Sequence, residues 1–173
     1  MLSKEELLGL IINNPEEFNK ESVANELDLS EMDMTNLHLE GVVFNNVDLT
    51  SSSFADSVLT EVKFINCDMT SVDFNRATLT ECVFNDSVLN GTDFSYSNTN
   101  YCNFNDSDLA GAIFMDADLS DSDFTMSENL NASRFDDSTT WPDSEYLPED
   151  FDAVYLDDLS SLKDEEDYQI SDY

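Results

Sequence analysis

The sequence predicts an all-β protein built as one parallel β-helix, in which the chain turns a corner every five residues. Two observations support this fold class. Every fifth residue from Leu29 to Phe124 is large and apolar at nineteen of twenty positions, with Thr99 as the exception. The residue two places before each of them is small or β-branched from Val42 onward. A fixed period along the chain is the sequence signature of a repeat architecture.

A five-residue period fits neither an amphipathic helix, at about 3.6 residues per turn, nor a flat strand, which alternates every two residues. Residues two apart in a strand face the same side. The large residue and the small residue before it would therefore both point inward. The next two positions are rich in Asn, Asp, Ser, Thr and Gly, as turns require. We expect stacked coils whose large and small side chains fill a continuous column.

Phenylalanine recurs every ten residues in the apolar series, with a leucine-like residue or Thr99 between. Four repeats per coil would stack these phenylalanines in two opposite columns and place Leu and Met in the other two. Cys82 and Cys102, which are twenty residues apart, would then stack directly. The phenylalanines of the predicted core columns are Phe44, Phe54, Phe64, Phe74, Phe84, Phe94, Phe104, Phe114 and Phe124.

Three units show the repeat most clearly: residues 107–111 (Ser-Asp-Leu-Ala-Gly), 117–121 (Ala-Asp-Leu-Ser-Asp) and 47–51 (Val-Asp-Leu-Thr-Ser). They resemble the pentapeptide-repeat family, whose units read roughly Ala-(Asp/Asn)-Leu-X-X. The resemblance covers about 100 of the 173 residues. It implies a right-handed quadrilateral parallel β-helix of about five coils, with short helical caps at both ends.

The N-terminal segment predicts a helical cover for one open end of the β-helix. Ser3 and Glu6 form a capping box for a helix over residues 3–12. Pro15 then starts a second short turn, which Phe18 would anchor. We expect four regions: an N-terminal helical cap at 1–26, the β-helix at 27–126, an irregular last coil and closing segment at 127–142, and an acidic helix and tail at 143–173.

The C-terminal segment predicts a second helix. Phe151, Tyr155, Leu159 and Leu162 fall on one face of it. This helix would either cap the last coil or pair with its copy in a dimer. Both a monomer and a C-terminal-helix dimer therefore remain open.

No motif for catalysis, a metal or a cofactor occurs in the sequence. It has no Gly-rich phosphate loop, no Cys-x-x-Cys, no His-x-x-x-His and no Ser/His pairing. The three cysteines fall at inward positions and read as reduced core residues, and His38 points outward. There is no apolar run of about 18 residues, and the first residues lack the features of a signal peptide. We expect a cytoplasmic, non-enzymatic protein with no cofactor, metal or membrane association.

The chain is strongly acidic, with 39 acidic and 6 basic residues and a net charge of −33. Residues 29–124 contain seventeen acidic residues and two basic ones, Lys63 and Arg76. Five coils spaced about 4.8 Å apart form a rod roughly 24 Å long. Such a rod carries one net negative charge per ~1.6 Å, close to one per ~1.7 Å of B-DNA axis. The charge density would therefore suit a DNA-binding groove.

The register stacks many acids in ladders, which are the candidate partner-binding residues. One outward face carries Asp48, Asp68 and Asp108, the next face carries Asp33, Asp73 and Asp93, one corner carries Glu61, Glu81 and Asp121, and another corner carries Asp86 and Asp106. An Asp just before the inward apolar residue also bonds to the corner backbone. That local role would account for about half of the acids in the repeat.

The chain is similar to acidic pentapeptide-repeat proteins that mimic DNA and bind type II topoisomerases. The resemblance implies a DNA mimic that occupies the DNA-binding groove of DNA gyrase or a topoisomerase, or else of a restriction or defence nuclease. Such a protein would not itself bind nucleic acid. The alternative is a protein-interaction scaffold without DNA mimicry, with outward apolar residues as a contact patch: Val43, Ile65 and Val83 on one face, and Ile113 and Met115 on another. Salt would weaken binding by a mimic and hardly affect an apolar patch.

Overall fold

The computed structural model describes residues 2–151 and confirms a parallel β-helix. Two α-helices, α1 (Lys4–Asn13) and α2 (Pro15–Ala24), precede it. The strands are β1 (Leu27–Asp28), β2 (His38–Glu40), β3 (Val43–Asn45), β4 (Val47–Asp48), β5 (Val58–Thr60), β6 (Lys63–Ile65), β7 (Thr78–Thr80) and β8 (Asn98–Asn100). The 3-10 helices η1 (Leu130–Ala132) and η2 (Ser144–Tyr146) follow. No helix within residues 2–151 is long and apolar enough to cross a bilayer.

Each coil has twenty residues and four faces, because every parallel pairing in the regular part joins residues twenty apart. We number the faces by their inward residues, all of which are buried. The first face carries Leu29, Leu49, Met69, Leu89 and Leu109, the second Met34, Phe54, Phe74, Phe94 and Phe114, the third Leu39, Leu59, Leu79, Thr99 and Leu119, and the fourth Phe44, Phe64, Phe84, Phe104 and Phe124.

The phenylalanines form two stacked columns that meet along the axis of the β-helix. On the fourth face, neighbouring rings are parallel with centroids 4.4–5.1 Å apart. On the second face the spacing is 5.1–5.3 Å. The two columns touch edge to face at 5.7–6.1 Å. Both geometries are favourable for aromatic pairs, so the core is a continuous aromatic stack.

The corners depend on left-handed backbone at the second residue after the inward one, which occurs at every corner from Glu31 to Asp116. At these positions φ lies between +51° and +71°. Asn, Asp and Gly adopt this conformation most readily, which explains the corner composition. The two aromatic residues that adopt it, Tyr96 and Tyr101, have φ of 60° and 56° and flank strand β8.

Helix α1 begins as the sequence predicts, with the Ser3 and Glu6 capping box formed in both directions. Helix α2 is longer than the short turn expected, at ten residues. Its extra length has a structural reason, because α2 packs on β3 and covers the open edge of the first coil. Phe18 lies edge-on to Phe44 at 5.2 Å and continues the fourth-face column into the cap.

Side chains of α2 also replace the backbone partners that a preceding coil would supply. Asn19 accepts a hydrogen bond from the Val43 N–H at 2.7 Å and donates one to the Gly41 carbonyl at 3.0 Å. The hydroxyl of Ser22 accepts from the Asn45 N–H at 2.6 Å. The exposed strand edge is thereby satisfied, which blocks edge-to-edge association at this end.

The parallel backbone pairing between coils continues past Phe124, but the paired residues come to lie more than twenty residues apart. Glu128 still pairs twenty residues back with Asp108, but Arg134 pairs with Ile113 and Thr140 with Asp118, at 21 and 22 residues. Asn129 in left-handed backbone and η1 absorb the extra residues.

The C-terminal end of the aromatic columns is covered by Trp141, whose ring lies 6.0 Å from Phe114 and 6.1 Å from Phe124. Phe151 packs against Trp141 at 4.9 Å. The other residues of the predicted C-terminal helix, Tyr155, Leu159 and Leu162, lie outside the described residues.

Thr99, the polar exception in the inward series, is fully buried and hydrogen-bonded. Its hydroxyl can donate either to the Ser122 hydroxyl at 2.9 Å or to the Asp118 carbonyl at 3.3 Å. Ser122 donates in turn to the Thr99 carbonyl. The coil thus accommodates the polar residue through hydrogen bonds to neighbouring backbone and to Ser122.

Substituting Thr99→Val should lower the free energy of unfolding by about 1 kcal/mol, because valine keeps the shape but loses the hydroxyl's hydrogen bonds. Urea unfolding followed by circular dichroism measures this difference. The double variant Thr99→Val/Ser122→Ala should lose less free energy of unfolding than the two single variants lose together, because the two hydroxyls share one hydrogen bond. A stabilised Thr99→Val variant would contradict the assignment.

Candidate functional site

The most continuous acidic feature of the described residues runs along the first face. Six outward residues on this face each pair with the next one along the β-helix, and so occupy six successive rungs: Asp28, Asp48, Asp68, Val88, Asp108 and Glu128. Five of the six are acidic. At the corner just before this face, Asp86 and Asp106 belong to the same coils as Val88 and Asp108. We call the acidic strip the set Asp28, Asp48, Asp68, Asp86, Asp106, Asp108 and Glu128.

The strip has no acid-free rung, because Asp86 lies beside the one rung where the first face carries Val88. Its N-terminal half borders an open groove of about 510 Å³, which also involves Glu26 and the corner residues Asn46 and Asn66. The side chains of Asn46 and Asn66 hydrogen-bond to each other along the corner. The groove therefore has one wall of aspartates and a second wall in which Glu26 is followed by two asparagines.

The backbone fixes the orientation of the strip's aspartates. One carboxylate oxygen of each first-face Asp accepts a hydrogen bond from the N–H two residues later: 2.9 Å at Asp28, 2.9 Å at Asp48, 3.0 Å at Asp68 and 3.1 Å at Asp108. Asp48 and Asp68 nevertheless remain exposed to solvent. The corner amides thus hold these carboxylates in place and leave negative charge at the surface.

Lys4 is the basic residue that contacts the strip. Its ammonium lies 3.0 Å from the Asp28 carboxylate and donates to the Ser30 carbonyl at 2.6 Å. Hydrogen bonds from the Ser30 hydroxyl, from Lys4 and from the Ser30 N–H lower the pKa of Asp28 to about 2. Asp28 therefore keeps its charge at neutral pH, while Lys4 offsets part of it.

The second-face ladder of Asp33, Asp73 and Asp93 is less continuous than the strip. Ser53 separates Asp33 from Asp73, and the column ends in Ile113 and Arg134. Asp73 and Asp93 are half-buried and accept hydrogen bonds of 2.8 Å from the N–H of Asn75 and Ser95. The Thr35 hydroxyl and N–H lower the pKa of Asp33.

The corner acids Glu61, Glu81 and Asp121 share one column and are exposed, with Tyr101 between Glu81 and Asp121. At another corner, Arg76 forms a two-point ion pair with Asp56 at 2.8 and 3.2 Å. This pair lowers the pKa of Asp56 through the hydrogen bond from Arg76. The structure thus brings the predicted acids together on distinct faces, and the positive charge of Arg76 lies away from the strip.

Sequence reasoning missed Asp28, Glu26 and Glu128. The twenty-residue period carried the missing signal for all three. It runs back from Asp48 to Asp28, forward from Asp108 to Glu128, and back from Asp86 along the corner column to Glu26, sixty residues earlier.

The outward apolar residues named for the alternative function are all half-buried: Val43, Ile65, Val83, Ile113 and Met115. Helix α2 lies over β3 and covers Val43. These side chains therefore offer little exposed apolar surface to a partner.

The cysteines are buried and free. Burial raises the pKa of Cys67 to about 11 and raises that of Cys102. Within residues 2–151 no group of His, Cys, Asp and Glu side chains is arranged to hold a metal ion.

Comparisons with known proteins agree with this architecture. A family model described as a pentapeptide repeat region matches residues 57–135. The pentapeptide repeat protein Rfr23 from the cyanobacterium Cyanothece 51142 has a similar fold, with a TM-score of 0.64 and 16% identity over 71% of this chain and 97% of that chain. A trypsin-treated form of QnrB1, a plasmid-mediated fluoroquinolone resistance protein, matches with a TM-score of 0.45 and 20% identity over 82% of this chain and 72% of that chain. A comparison with curated proteins finds no match.

Most of the matched region, up to Phe124, lies within the part of the structure that has four faces per coil and five residues per face, and its last residues belong to the lengthened coil. The identities to the solved structures are low, so those likenesses concern the fold alone. The family match and the repeat register together lead to one conclusion: residues 57–135 form a pentapeptide repeat region, and the chain shares the fold of a pentapeptide repeat protein.

Proposed function

We propose that this protein is a non-enzymatic DNA mimic whose acidic strip occupies the DNA-binding groove of a DNA-processing enzyme. One observation carries the proposal: seven carboxylates follow six consecutive rungs of a rigid ladder. Allowing for Lys4, the strip holds about six net charges over roughly 24 Å. That is one charge per ~4 Å, against one phosphate per ~3.4 Å along a single DNA strand.

Rigidity matters as much as charge for this function. A DNA-binding groove presents Lys and Arg at fixed positions, and binding charges that are already in place avoids the entropy cost of ordering them. In the strip, the corner N–H groups hold the four aspartates of the first face. The aromatic core keeps the rungs at a constant spacing.

DNA gyrase is the first enzyme to test, because the sequence resembles acidic family members that bind type II topoisomerases. A supercoiling assay should show inhibition at micromolar protein and low salt. The inhibition should weaken steeply between about 50 and 200 mM salt, because the Debye length shortens with ionic strength and screens the charges.

Bovine serum albumin at equal concentration serves as a control for unspecific acidic protein. Failure to inhibit at low salt would reject gyrase as the target. The same assay on a restriction endonuclease, read as protection of plasmid from cleavage, then tests the second enzyme class. Inhibition that does not change with salt would contradict mimicry by charge.

A further inference from the structure

A cleft of about 480 Å³ lies at the corner between the third and fourth faces, near the C-terminal end of the β-helix. Two tyrosines border it: Tyr101 is 65% exposed and Tyr146 is 44% exposed. Four acidic residues also line the cleft: Asp121, Asp123, Asp143 and Glu145. The cleft therefore combines two exposed aromatic rings with four carboxyl groups.

The backbone holds the two sides of the cleft in a fixed relation. Tyr101 lies at a corner in left-handed backbone, with φ of 56°. On the other side, the N–H of Phe124 donates to the Tyr146 carbonyl at 2.8 Å, which attaches η2 to the fourth face as a further rung. The N–H of Tyr146 donates to the Asp143 carbonyl at 2.9 Å. Both tyrosines are thus attached to ordered backbone.

Asp123 is the best anchored of the four acids. Its carboxylate accepts hydrogen bonds from the Thr125 N–H at 2.9 Å, the Thr125 hydroxyl at 2.6 Å and the Asn105 amide at 2.9 Å. Burial by itself raises the pKa of Asp123, but these hydrogen bonds outweigh it and the pKa is lowered. The cleft therefore contains a fixed negative charge at neutral pH.

The chemistry of the walls selects an organic cation as the ligand. Among the residues that the structure describes, no Lys or Arg lines the cleft, so none of them neutralises its carboxylates from within. Among residues 2–151 no group of three or more His, Cys, Asp or Glu side chains is placed to hold a metal ion. Aromatic rings attract cations across their faces. A guanidinium group stacks on such rings, pairs with carboxylates in two-point geometry and is more weakly hydrated than an ammonium.

We propose that this cleft binds an arginine side chain of a partner protein, with its guanidinium between Tyr101 and Tyr146 and paired with the surrounding carboxylates. The proposal is independent of DNA mimicry, because the cleft lies at a different corner from the acidic strip and recognises one side chain. Arginine is enriched at the energetic centres of protein interfaces, as is tyrosine. The cleft would give the rod a specific contact beyond its overall charge.

The test is a titration of the ¹⁵N-labelled full-length protein with the capped tripeptide Gly-Arg-Gly, followed by NMR amide shifts. We expect millimolar binding that shifts the amides of Tyr101 and Tyr146, and weaker binding of Gly-Lys-Gly. Tyr101→Asn should reduce the affinity about two- to fivefold, as the loss of one exposed cation–π contact predicts. Tyr101→Phe keeps the ring and should bind as the natural protein does.

Asparagine suits this test because Asn36, Asn46 and Asn66 already occupy left-handed corners with φ of 51–56°. The variant should therefore fold. Asp48→Asn on the acidic strip is the matched control and should leave tripeptide binding unchanged. Unaltered affinity in Tyr101→Asn, reduced affinity in Tyr101→Phe, or equal shifts with Gly-Gln-Gly would each overturn the proposal. None of these outcomes depends on whether gyrase is inhibited.

Discussion

Replacing Phe84 with alanine should lower the free energy of unfolding by about 3–5 kcal/mol, the range seen when a buried phenylalanine is truncated in a packed core. Phe84 is fully buried in the middle of the fourth-face column. It stacks on Phe64 at 5.1 Å and on Phe104 at 4.7 Å. It also meets Phe74 and Phe94 edge to face at 6.0 and 5.9 Å. The substitution removes four aromatic contacts together with the buried area.

The surroundings have little freedom to fill the resulting cavity. Backbone hydrogen bonds tie Phe84 to the coil that follows it, where its N–H donates to the Asn103 carbonyl at 2.9 Å. The rungs above and below are held by the same ladder, so the coils cannot move together to close a gap. A cavity that the surrounding residues cannot fill lowers the free energy of unfolding by the largest amount. Since folded domains are stable by only about 5–15 kcal/mol, Phe84→Ala should be marginally folded.

Urea unfolding monitored by far-ultraviolet circular dichroism measures this loss. Phe84→Leu is the matched control. Leucine already occupies the first and third faces, so it should cost about 1.5 kcal/mol or less. Phe135→Ala, in the half-buried C-terminal cover, should cost less than Phe84→Ala. An alanine variant at position 84 within about 0.5 kcal/mol of the natural protein would contradict a continuous aromatic core.

The regular part of the fold was predictable because one constraint repeats. Each coil must bury a large residue and a small residue at a constant spacing, so any break in the pattern is visible. The N-terminal cover has no such period. Asn19 and Ser22 of α2 are polar residues in the sequence, and only the structure reveals that they bond to the open edge of β3. Their role depends on tertiary placement, which local patterns do not encode.

The structure of the last coil was also difficult to predict from local sequence patterns. Residues 127–142 were expected to form an irregular last coil and closing segment, and their pairings with the coil before include one or two extra residues. An apolar repeat read at fixed phase cannot follow an insertion. The acidic ladders were largely visible because they share the coil period. The cleft beside Tyr101 was not, because Tyr146 reaches it through η2, outside the repeat.

Neutralising three carboxylates of the acidic strip should weaken inhibition of the target enzyme about 100-fold. The variant carries Asp48→Asn, Asp68→Asn and Asp108→Asn together. If each lost charge removes about 1 kcal/mol of charge-assisted contact, three cost about 3 kcal/mol, or roughly two orders of magnitude in affinity. The measurement is the protein concentration that halves gyrase supercoiling at low salt.

The substitution is designed to leave the fold intact. Asn103 occupies the equivalent outward position on the fourth face, and its side-chain oxygen accepts a hydrogen bond from the Asn105 N–H at 2.8 Å. An asparagine at positions 48, 68 and 108 can therefore keep the corner bond that each aspartate makes now. Repulsion along the strip would also fall, so stability should be unchanged or slightly higher. Loss of inhibition would then report on the surface charge itself.

A second triple variant separates a defined strip from overall charge. Asp33→Asn, Asp73→Asn and Asp93→Asn remove the same three charges, from the same residue type, at the same position of the repeat, but on the second face. Because that ladder is interrupted by Ser53 and partly buried, this variant should lose less than about fivefold. Equal losses in the two variants would mean that the enzyme responds only to total charge. A rigid row of carboxylates on one face would then have no special role, and the proposed mimicry would fail even though the β-helix stands.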